Sequence, residues 1–468
     1  MKKRDVCDNM NAEPRQDGKG FKERPMKKKV ISLLLAAALL SCAGCAENRA
    51  HTPDTAAGTT VPRPGVTEET LQPGGTATDN SGTNATGGAE MAPAYWDSTT
   101  DFGIVVDGDG VMRLAGKPVY MAGVNCYNLF NQCFDGFSAE KAKQTLRVLK
   151  ENGVSVIRFN CGGYSYEYIR TYYENPDAYL SLLREIVSCA EELEIGLIPS
   201  FFWLKNAVPD YFDEPLRSWG RADSQTVEFL CSYTAAVVST IKDSKAVFAW
   251  EFGNEFNLGC DLPNVTEHLP ALPPHSTRTE RTEEDYLSAV DVSYALTRFA
   301  ETIHSLDDTG RMITSGNATL RPSQYHQLTE NTWAQDSYEE YTQITAMFTP
   351  EGVDTISEHV YFTAQQTFGR ELSLWEYLGY ATQSAKEQKK AYFVGEWGGG
   401  SSTDMWYYQD IGNTFVDAGV QLCLLWIFNL EEDSVEYSFS AESNRGQKLL
   451  TVLAGLNKRY RTEYGFEI

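Results

Sequence analysis

The sequence predicts an α/β fold, a (β/α)8 TIM barrel formed by residues 93–468. Eight short strand-like segments recur along this region, and most of them are followed by a helical segment. The strand-like segments are nearly continuous apolar runs, which is typical of parallel strands covered on both faces. Eight such units over about 350 residues fit a barrel with some long loops. A doubly wound open sheet is the alternative, but the segment GVNCYNLFNQC after the first strand lacks its glycine-rich phosphate turn.

Each predicted element has a local reason. The first helix, 138–153, has Ser138 as a candidate N-cap and Gly153 as a stop signal. The second helix has Asn175 as its cap and Pro176 at its first helical position. The eight predicted strands are 118–125, 154–160, 195–203, 246–252, 311–317, 354–362, 391–397 and 420–428. The predicted helices are 138–153, 175–196, 224–243, 283–307 and 444–460, with further helical segments between the last three strands.

The N-terminal part has the composition of an export signal and a linker. Residues 26–45, MKKKVISLLLAAALLSCAGC, have a basic head, an apolar run and small residues before cysteine, and they resemble a bacterial lipoprotein signal peptide. Lipidation is expected at Cys42 or Cys45, and residues 1–25 are interpreted as a start assigned too far upstream. Residues 46–92, rich in Thr, Gly and Pro, are predicted to be a disordered linker. The expected location is the outer face of the bacterial cell membrane, or the medium.

Charge and cysteine spacing restrict the partners. The formal net charge is −24, which argues against nucleic acid because phosphate binding needs a basic face. The Cys and His residues do not follow a zinc-ligand spacing, so neither a metal nor a cofactor is expected. Contact with a membrane is expected only through the lipid anchor. The chain is expected to be a monomer.

Polar and aromatic side chains gather where the predicted strands end. In a (β/α)8 barrel the active site lies at the carboxyl ends of the strands. Glu255 closes the fourth strand and Glu396 the seventh, and two such carboxyl groups suit glycoside hydrolysis, in which one protonates the leaving oxygen and the other attacks the anomeric carbon. Tryptophan and tyrosine rings can stack on sugar faces. The candidates at strand ends are Asn125, Arg158, Asn160, Trp203, Asn254, Glu255, Asn317, His359, Tyr361, Glu396, Trp397 and Trp426.

Four motifs in these segments carry a family resemblance. WEFGNEFN and VGEWGGG, joined by RFN and HVY, resemble the large clan of retaining glycosidases built on this barrel, and within it family five, the cellulase and β-mannanase family. The resemblance covers residues 104–458. It implies that Glu255 is the acid/base and Glu396 the nucleophile. It also implies substrate-site roles for Arg158, which fixes and charges the nucleophile, Asn254, which holds the sugar 2-hydroxyl, Tyr361, which hydrogen-bonds the nucleophile, His359, its neighbour, and Trp426, the aromatic floor.

The sequence also departs from the family pattern. Phe256 and Asn257 follow the acid/base glutamate where proline is common, and three glycines follow Glu396-Trp397. The segment 257–286 is unusually long and leaves the fourth strand beside Glu255. Such a loop could wall off one end of a groove, which would favour a pocket and exo action.

The resulting expectation is a single catalytic domain that hydrolyses a β-linked oligo- or polysaccharide of the mannan or glucan type with retention of configuration. Trp203, Asn125 and Trp397 are further candidates for substrate contact because of their positions. Glu251 and Glu358 are interpreted as polar residues of the barrel interior without a catalytic part. The alternatives are a glycan-binding surface lipoprotein without catalysis and a transglycosylase, in which a sugar acceptor replaces water.

Overall fold

Eight parallel strands form the central sheet. The computed structural model describes residues 95–163, 165–361, 366–429 and 436–466. The strands are β1 (Met121–Asn125), β2 (Val156–Asn160), β3 (Gly196–Phe202), β4 (Ala249–Gly253), β5 (Met312–Thr314), β6 (Thr355–Val360), β7 (Ala391–Trp397) and β8 (Leu422–Leu425). Their hydrogen-bonded order is β5-β4-β3-β2-β1-β8-β7-β6, and every pair is parallel.

The two ends of this order, β5 and β6, meet through a few specific contacts. The backbone N–H of Asp354 donates to the carbonyl of Ile313 at 2.8 Å, and the Asp354 carboxylate accepts from the N–H of Ile313 at 2.8 Å. The Thr355 hydroxyl donates to the Thr314 hydroxyl at 2.7 Å. The sheet is therefore nearly closed, and the predicted barrel-like (β/α)8 architecture is confirmed.

Every strand is followed by at least one helix. The helices are α1 (Glu140–Glu151), α2 (Tyr166–Glu174), α3 (Pro176–Glu192), α4 (Ala207–Tyr211), α5 (Gln225–Ile241), α6 (Ala289–His304), α7 (Gln324–Glu330), α8 (Tyr338–Met347), α9 (Leu374–Glu387), α10 (Met405–Asp417) and α11 (Asn444–Tyr464). Pro176 does open α3, with Asn175 as its cap. The prediction of Ser138 as the cap of α1 is wrong: Ala139 occupies that position, because the chain enters the helix one residue later.

The barrel interior is apolar at one end and polar at the other. A core cluster that includes Ile198, Phe248, Met312 and Phe393 fills the end from which the strands start. A small antiparallel sheet, Ile104–Val106 with Met112–Leu114 and Lys117–Pro118, contributes Ile104, Met112 and Leu114 to the same cluster. Further along the strands the interior positions carry Arg158, Glu251 and Glu396. The apolar plug thus leaves one end of the barrel for polar chemistry.

The export signal, lipidation site and linker predicted for residues 1–92 lie outside the described residues. Among the helices that the structure describes, none has both the length and the apolar composition needed to cross a bilayer.

Candidate active site

Glu255 leaves the end of β4 in a strained but well-anchored backbone. Its φ and ψ are 55° and 32°, in the left-handed region that non-glycine residues seldom occupy. The Glu255 N–H donates to the carbonyl of Gly316 at 2.8 Å, just beyond β5. A side chain at Gly316 would lie 1.9 Å from the carbonyl of Gly253. The glycine therefore lets the ends of β4 and β5 approach, and this approach fixes the direction of Glu255.

Arg158 connects the strand ends to one another. It is fully buried on β2. Its Nε donates to Glu251 Oε1 at 2.6 Å, and its Nη1 donates to Glu396 Oε1 at 2.7 Å and to Asn125 Oδ1 at 2.9 Å. Its Nη2 donates to Asn254 Oδ1 at 2.9 Å. The planar guanidinium thus holds two carboxylates and two amides in fixed directions, which a lysine could not do.

Glu396 reaches the mouth of the barrel because β7 is irregular. Val394, two residues earlier, packs in the core between the strands and the helices. Strict alternation would place Glu396 on that same outer face. The register of β7 against β6 shifts between Val394 and Glu396, and Glu396 pairs with His359. Such an irregularity re-aims a side chain, and here it brings the carboxylate beside Arg158.

Two more groups contact the carboxylates. The Tyr361 hydroxyl donates to Glu396 Oε2 at 2.8 Å. His359 Nδ1 lies 2.9 Å from Glu255 Oε1 and 3.5 Å from Glu396 Oε1. The ligand-type atoms of the three residues all lie within 4.8 Å of one another. Such a cluster could hold a cation, but the Arg158 guanidinium already supplies positive charge at Glu396, which opposes a second cation there.

The two glutamates differ in what stabilises their ionised forms. Burial raises the pKa of Glu255 from its ordinary 4.5 to about 7, against the opposing charges of Arg158 and Lys205. Burial also raises the pKa of Glu396, while Arg158 and the Tyr361 hydroxyl favour its ionised form. Burial lowers the pKa of His359 to about 4, so its ring is neutral near pH 7. Because Glu396 receives two direct hydrogen bonds, it is the better stabilised anion of the pair.

Aromatic rings frame one side of the arginine. Trp203, just after β3, and Trp426, just after β8, stack with ring centroids 6.1 Å apart at 22°. The Arg158 guanidinium carbon lies 4.6 Å from the Trp203 ring centroid, and Tyr127 packs edge-on against Trp203 at 4.9 Å. Trp426 is half-buried, whereas Trp203 is only 4% exposed. Trp426 therefore offers more surface to a ligand.

The sequence profile of the cellulase family, glycosyl hydrolase family 5, matches residues 112–429. The chain belongs to this family. Family 5 enzymes are retaining glycoside hydrolases, so the chain is a glycoside hydrolase of the retaining class. No curated protein matches it.

Solved structures share the fold of this family 5 hydrolase at low sequence identity. The endo-1,4-beta-mannanase from Rhizomucor miehei has a TM-score of 0.53 and 16% identity, and the match covers 76% of this chain and 99% of that one. The endo-1,4-beta-D-mannanase from Thermotoga petrophila gives 0.50 and 14%, over 72% and 99% of the two chains. A family 5 mannosidase from Rhizomucor miehei gives 0.51 and 11%, over 77% and 99%.

Two of the residues predicted to contact substrate in this hydrolase lie elsewhere. Trp397 is fully buried and packs against Tyr408 and Phe415, so it belongs to the layer between β7 and the helices. Asn125 is fully buried, accepts from Arg158 and donates to the carbonyl of Gly395 at 2.9 Å. The structure therefore gives Trp397 a packing role and Asn125 a role in holding Arg158.

Eight of the predicted residues meet at the mouth of the barrel: Arg158, Asn254, Glu255, His359, Tyr361, Glu396, Trp203 and Trp426. The other two strand-end candidates, Asn160 and Asn317, are buried, and Asn160 accepts from the Gly162 N–H at 3.1 Å.

Two further residues belong beside this group. Glu251 lies in the barrel interior, as the sequence predicts, and binds Arg158 at 2.6 Å. Lys205, which sequence reasoning missed, lies beside the turn that Glu255 begins. The strand-end position of Lys205, two residues after Trp203, was the available signal.

Proposed function

We propose that this hydrolase cleaves a β-linked glycan of the mannan or glucan type by double displacement, with Glu255 as acid/base and Glu396 as nucleophile. The observation that carries the proposal is the spacing of the two carboxyl groups. A Glu255 oxygen and a Glu396 oxygen lie within 4.8 Å of each other. Retaining enzymes hold the pair about 5 Å apart, whereas inverting enzymes leave room for a water at about 6.5–9.5 Å.

In the first step, ionised Glu396 attacks the anomeric carbon while Glu255 gives its proton to the leaving glycosidic oxygen. Arg158 and Tyr361 keep Glu396 ionised and oriented through their hydrogen bonds at 2.7 and 2.8 Å. The raised pKa of Glu255, about 7, keeps it protonated in the resting enzyme. Burial supplies that shift, against the charges of Arg158 and Lys205.

In the second step, the covalent bond between Glu396 and the sugar has removed one negative charge from the site. Glu255, now ionised, takes a proton from water, and the water oxygen attacks the anomeric carbon as the bond to Glu396 breaks. The neutral His359 ring beside both carboxylates adds no charge that would block this exchange of roles.

The test is a screen of the full chain on aryl β-mannosides, aryl β-glucosides, β-mannan and β-glucan. Mannan comes first because two of the fold neighbours are mannanases. Glu396→Ala should lose at least about 10⁴-fold in kcat, whereas Glu151→Ala, an exposed glutamate at the end of α1, should keep full activity. Proton NMR of the first-formed sugar should show the β anomer. An α product, or an active Glu396→Ala, would refute the assignment.

We further propose that the chain is exported and held at the bacterial surface by a lipid on Cys42 or Cys45. The motivation is the lipoprotein-like segment 26–45. Mass spectrometry of the N-terminal peptide from membrane fractions should find a diacylglyceryl cysteine. Replacement of the modified cysteine by serine should release the enzyme from the membrane, and replacement of the other should not. A chain that keeps residues 1–25 and stays in the cytoplasm would contradict the proposal.

A further inference from the structure

Lys205 extends along the turn that carries the acid/base. The 3-10 turn Phe256–Gly259 begins directly after Glu255, and the Leu258 N–H donates to the Glu255 carbonyl at 3.1 Å. An added Cβ at Gly259 would lie 2.7 Å from Lys205 Cδ and 2.5 Å from Cε. The glycine thus leaves open the space that the lysine stem occupies. The Lys205 side chain therefore runs along the turn that follows Glu255.

Among the described residues, the Lys205 ammonium has no hydrogen-bond acceptor. Its backbone carbonyl accepts from Trp219 Nε1 at 2.7 Å, but within the described residues the side chain forms neither a hydrogen bond nor an ion pair. The residue is half-buried, and burial lowers the pKa of the ammonium. A cation in such a place is costly unless an anion compensates it. The negative charge of Glu255 raises the pKa of this ammonium, against the effect of burial.

The other charged groups around Glu255 are already engaged. Arg158 on β2 is paired with Glu251 and Glu396. His359 on β6 is neutral near pH 7 because burial lowers its pKa to about 4. Among the described residues, Arg158 and Lys205 are the cations whose charges favour ionised Glu255, and Lys205 is the one without a carboxylate partner.

Arg321, which follows β5, binds the same turn against which the Lys205 stem packs. Its guanidinium donates to the carbonyls of Asn257, Leu258 and Cys260, and to Gln327. The positive charge of Arg321 lowers the pKa of Lys205 further, whereas the negative charge of Glu255 raises it.

We propose that Lys205 is a positioning residue for the acid/base: its ammonium stabilises the ionised form of Glu255, the form that must take a proton from water in the second step. This inference rests on the proposed function. In the first step the lysine opposes protonation of Glu255, and burial outweighs it. In the second step, with Glu396 neutralised by the sugar, the lysine supports the base. Lys205 therefore lowers the proton affinity of Glu255 in both steps, and the change between the steps comes from the lost charge of Glu396.

The first test titrates Glu255 directly and needs no turnover. The full chain is labelled with carboxyl-¹³C glutamate, and Glu255→Gln identifies the Glu255 resonance. In Lys205→Met the midpoint of the Glu255 titration should rise by about one pH unit, because the ionised carboxylate loses a nearby positive charge. Lys205→Arg should keep the wild-type midpoint, as should Lys448→Met, which removes a charge from an exposed position on α11. An unchanged midpoint in Lys205→Met overturns the proposal even if the chain cleaves the expected glycans.

A second variant moves the lysine without removing its charge. Gly259→Ala forces the Lys205 stem off its path, so its midpoint should move in the same direction by a smaller amount. This variant decides the question if Lys205→Met does not fold. A midpoint in Gly259→Ala that equals the wild-type value would then count against the proposal.

The kinetic test separates the two steps with a 2,4-dinitrophenyl β-glycoside, whose leaving group needs no proton. Turnover then reports the second step, and Lys205→Met should lower kcat by up to about tenfold below the Glu255 midpoint. For a substrate with a poor leaving group, the fall of kcat/KM at high pH should begin at a higher pH in Lys205→Met, because Glu255 stays protonated for longer. Equal losses at every pH with both substrates would indicate a merely structural lysine and would overturn the inference.

Discussion

Arg158 shows how one residue can organise a catalytic mouth. A buried guanidinium is costly unless it is fully paired, and here it is paired by Glu251, Glu396, Asn125 and Asn254. The pairing couples four strands, because Arg158 lies on β2 and its partners lie on β1, on β7 and on or directly after β4. A change at any partner is therefore transmitted to the direction of the Glu396 carboxylate.

The pH dependence of the first step follows from Glu255. This carboxyl group must be protonated to help the leaving group, and burial sets its pKa at about 7. We therefore expect kcat/KM for a substrate with a poor leaving group to fall about tenfold per pH unit above pH 7. The measurement is a pH profile in the wild-type chain, with Glu255→Ala as the control that loses this limb. A profile that is flat to pH 9 would contradict the assignment.

Buried Glu255 lowers the free energy of unfolding when it is ionised. Its folded-state pKa, about 7, lies above its ordinary 4.5, so the folded state prefers the protonated form. The resulting stability is complete below pH 4.5 and is lost as pH rises through 7. We expect Glu255→Gln to be more stable than the wild type by about 3 kcal/mol at pH 8, and the difference to vanish near pH 4. Urea unfolding at the two pH values measures it, and an equal difference at both would refute it.

The two catalytic candidates could be predicted from the sequence, whereas most of the contacts that hold them could not. Glu255 and Glu396 were predictable because an ionisable group at the end of an apolar strand has few structural explanations. The contacts of Arg158 with Asn125 and Glu251 were not predictable, since these residues meet it only after the strands are placed side by side. The inward direction of Glu396 depends on an irregularity of β7 that leaves no mark in the sequence.

At the scale of elements, Glu358 locks β6 to its neighbours. The prediction of a polar residue inside the barrel is wrong, because Glu358 lies on the outer face with Ile356 and Val360. Its carboxylate accepts from the hydroxyls of Tyr341 on α8, Tyr377 on α9 and Tyr392 on β7 at 2.8–3.1 Å. Burial raises its pKa, and the three hydroxyls oppose that shift.

Removing one of these hydroxyls should weaken the packing of α9 on the barrel. Tyr377→Phe leaves a buried carboxylate short of a donor, and we expect it to cost about 1.5–3 kcal/mol of unfolding free energy. Tyr380→Phe, from the same helix but on the half-buried side, should cost less than about 1 kcal/mol. Chemical denaturation at pH 7 compares them. Equal losses in both variants would show that the hydroxyl–carboxylate contacts carry no special weight.

The long connection after β4 is held by buried charge. Asp285 is fully buried and accepts from Arg278, Arg281 and the N–H of Leu216. Arg281 also pairs with Asp210 of α4 at 2.8 Å. The connection is thereby fixed to the segment after β3, next to Glu255. Its predicted role as a wall that favours exo action remains a prediction.

Loss of Asp285 should free this connection. Asp285→Ala leaves two arginines without their carboxylate, and breaking a buried ion pair costs several kcal/mol. We therefore expect protease cleavage within 262–284 to accelerate at least about tenfold. Glu280→Ala, exposed in the same connection, should leave cleavage unchanged. If the freed connection is the wall, the products from a β-linked hexasaccharide should shift from monosaccharide toward longer fragments. Unchanged cleavage in Asp285→Ala would refute the anchoring role.

For the whole molecule, the sequence predicted the barrel but not its closure. Continuous apolar runs indicate strands buried on both faces, and eight of them favour a barrel over an open sheet. The meeting of β5 and β6 depends on the Asp354 and Thr355 side chains, which no periodicity reveals. The start of α1 was predicted one residue too early, at Ser138 instead of Ala139, because the sequence does not distinguish between neighbouring start positions.

The charge of the whole chain gives a prediction about substrate. With a net charge of −24, a neutral glycan should be bound without long-range attraction or repulsion. We expect kcat/KM on a neutral polymer to change less than about twofold between 50 and 500 mM NaCl. Carboxymethylated polymer serves as the control, and its cleavage should improve with salt. A strong salt effect on the neutral polymer would contradict a neutral substrate.

The stacked indoles of Trp203 and Trp426 have a spectroscopic consequence. Two indole chromophores with centroids 6.1 Å apart and planes tilted by 22° share their electronic excitations, and this coupling produces a paired band in circular dichroism. The guanidinium 4.6 Å from one ring also shapes its emission. A sugar that enters the mouth would perturb the coupling, so this enzyme contains an intrinsic optical reporter that reads occupancy without a label or turnover.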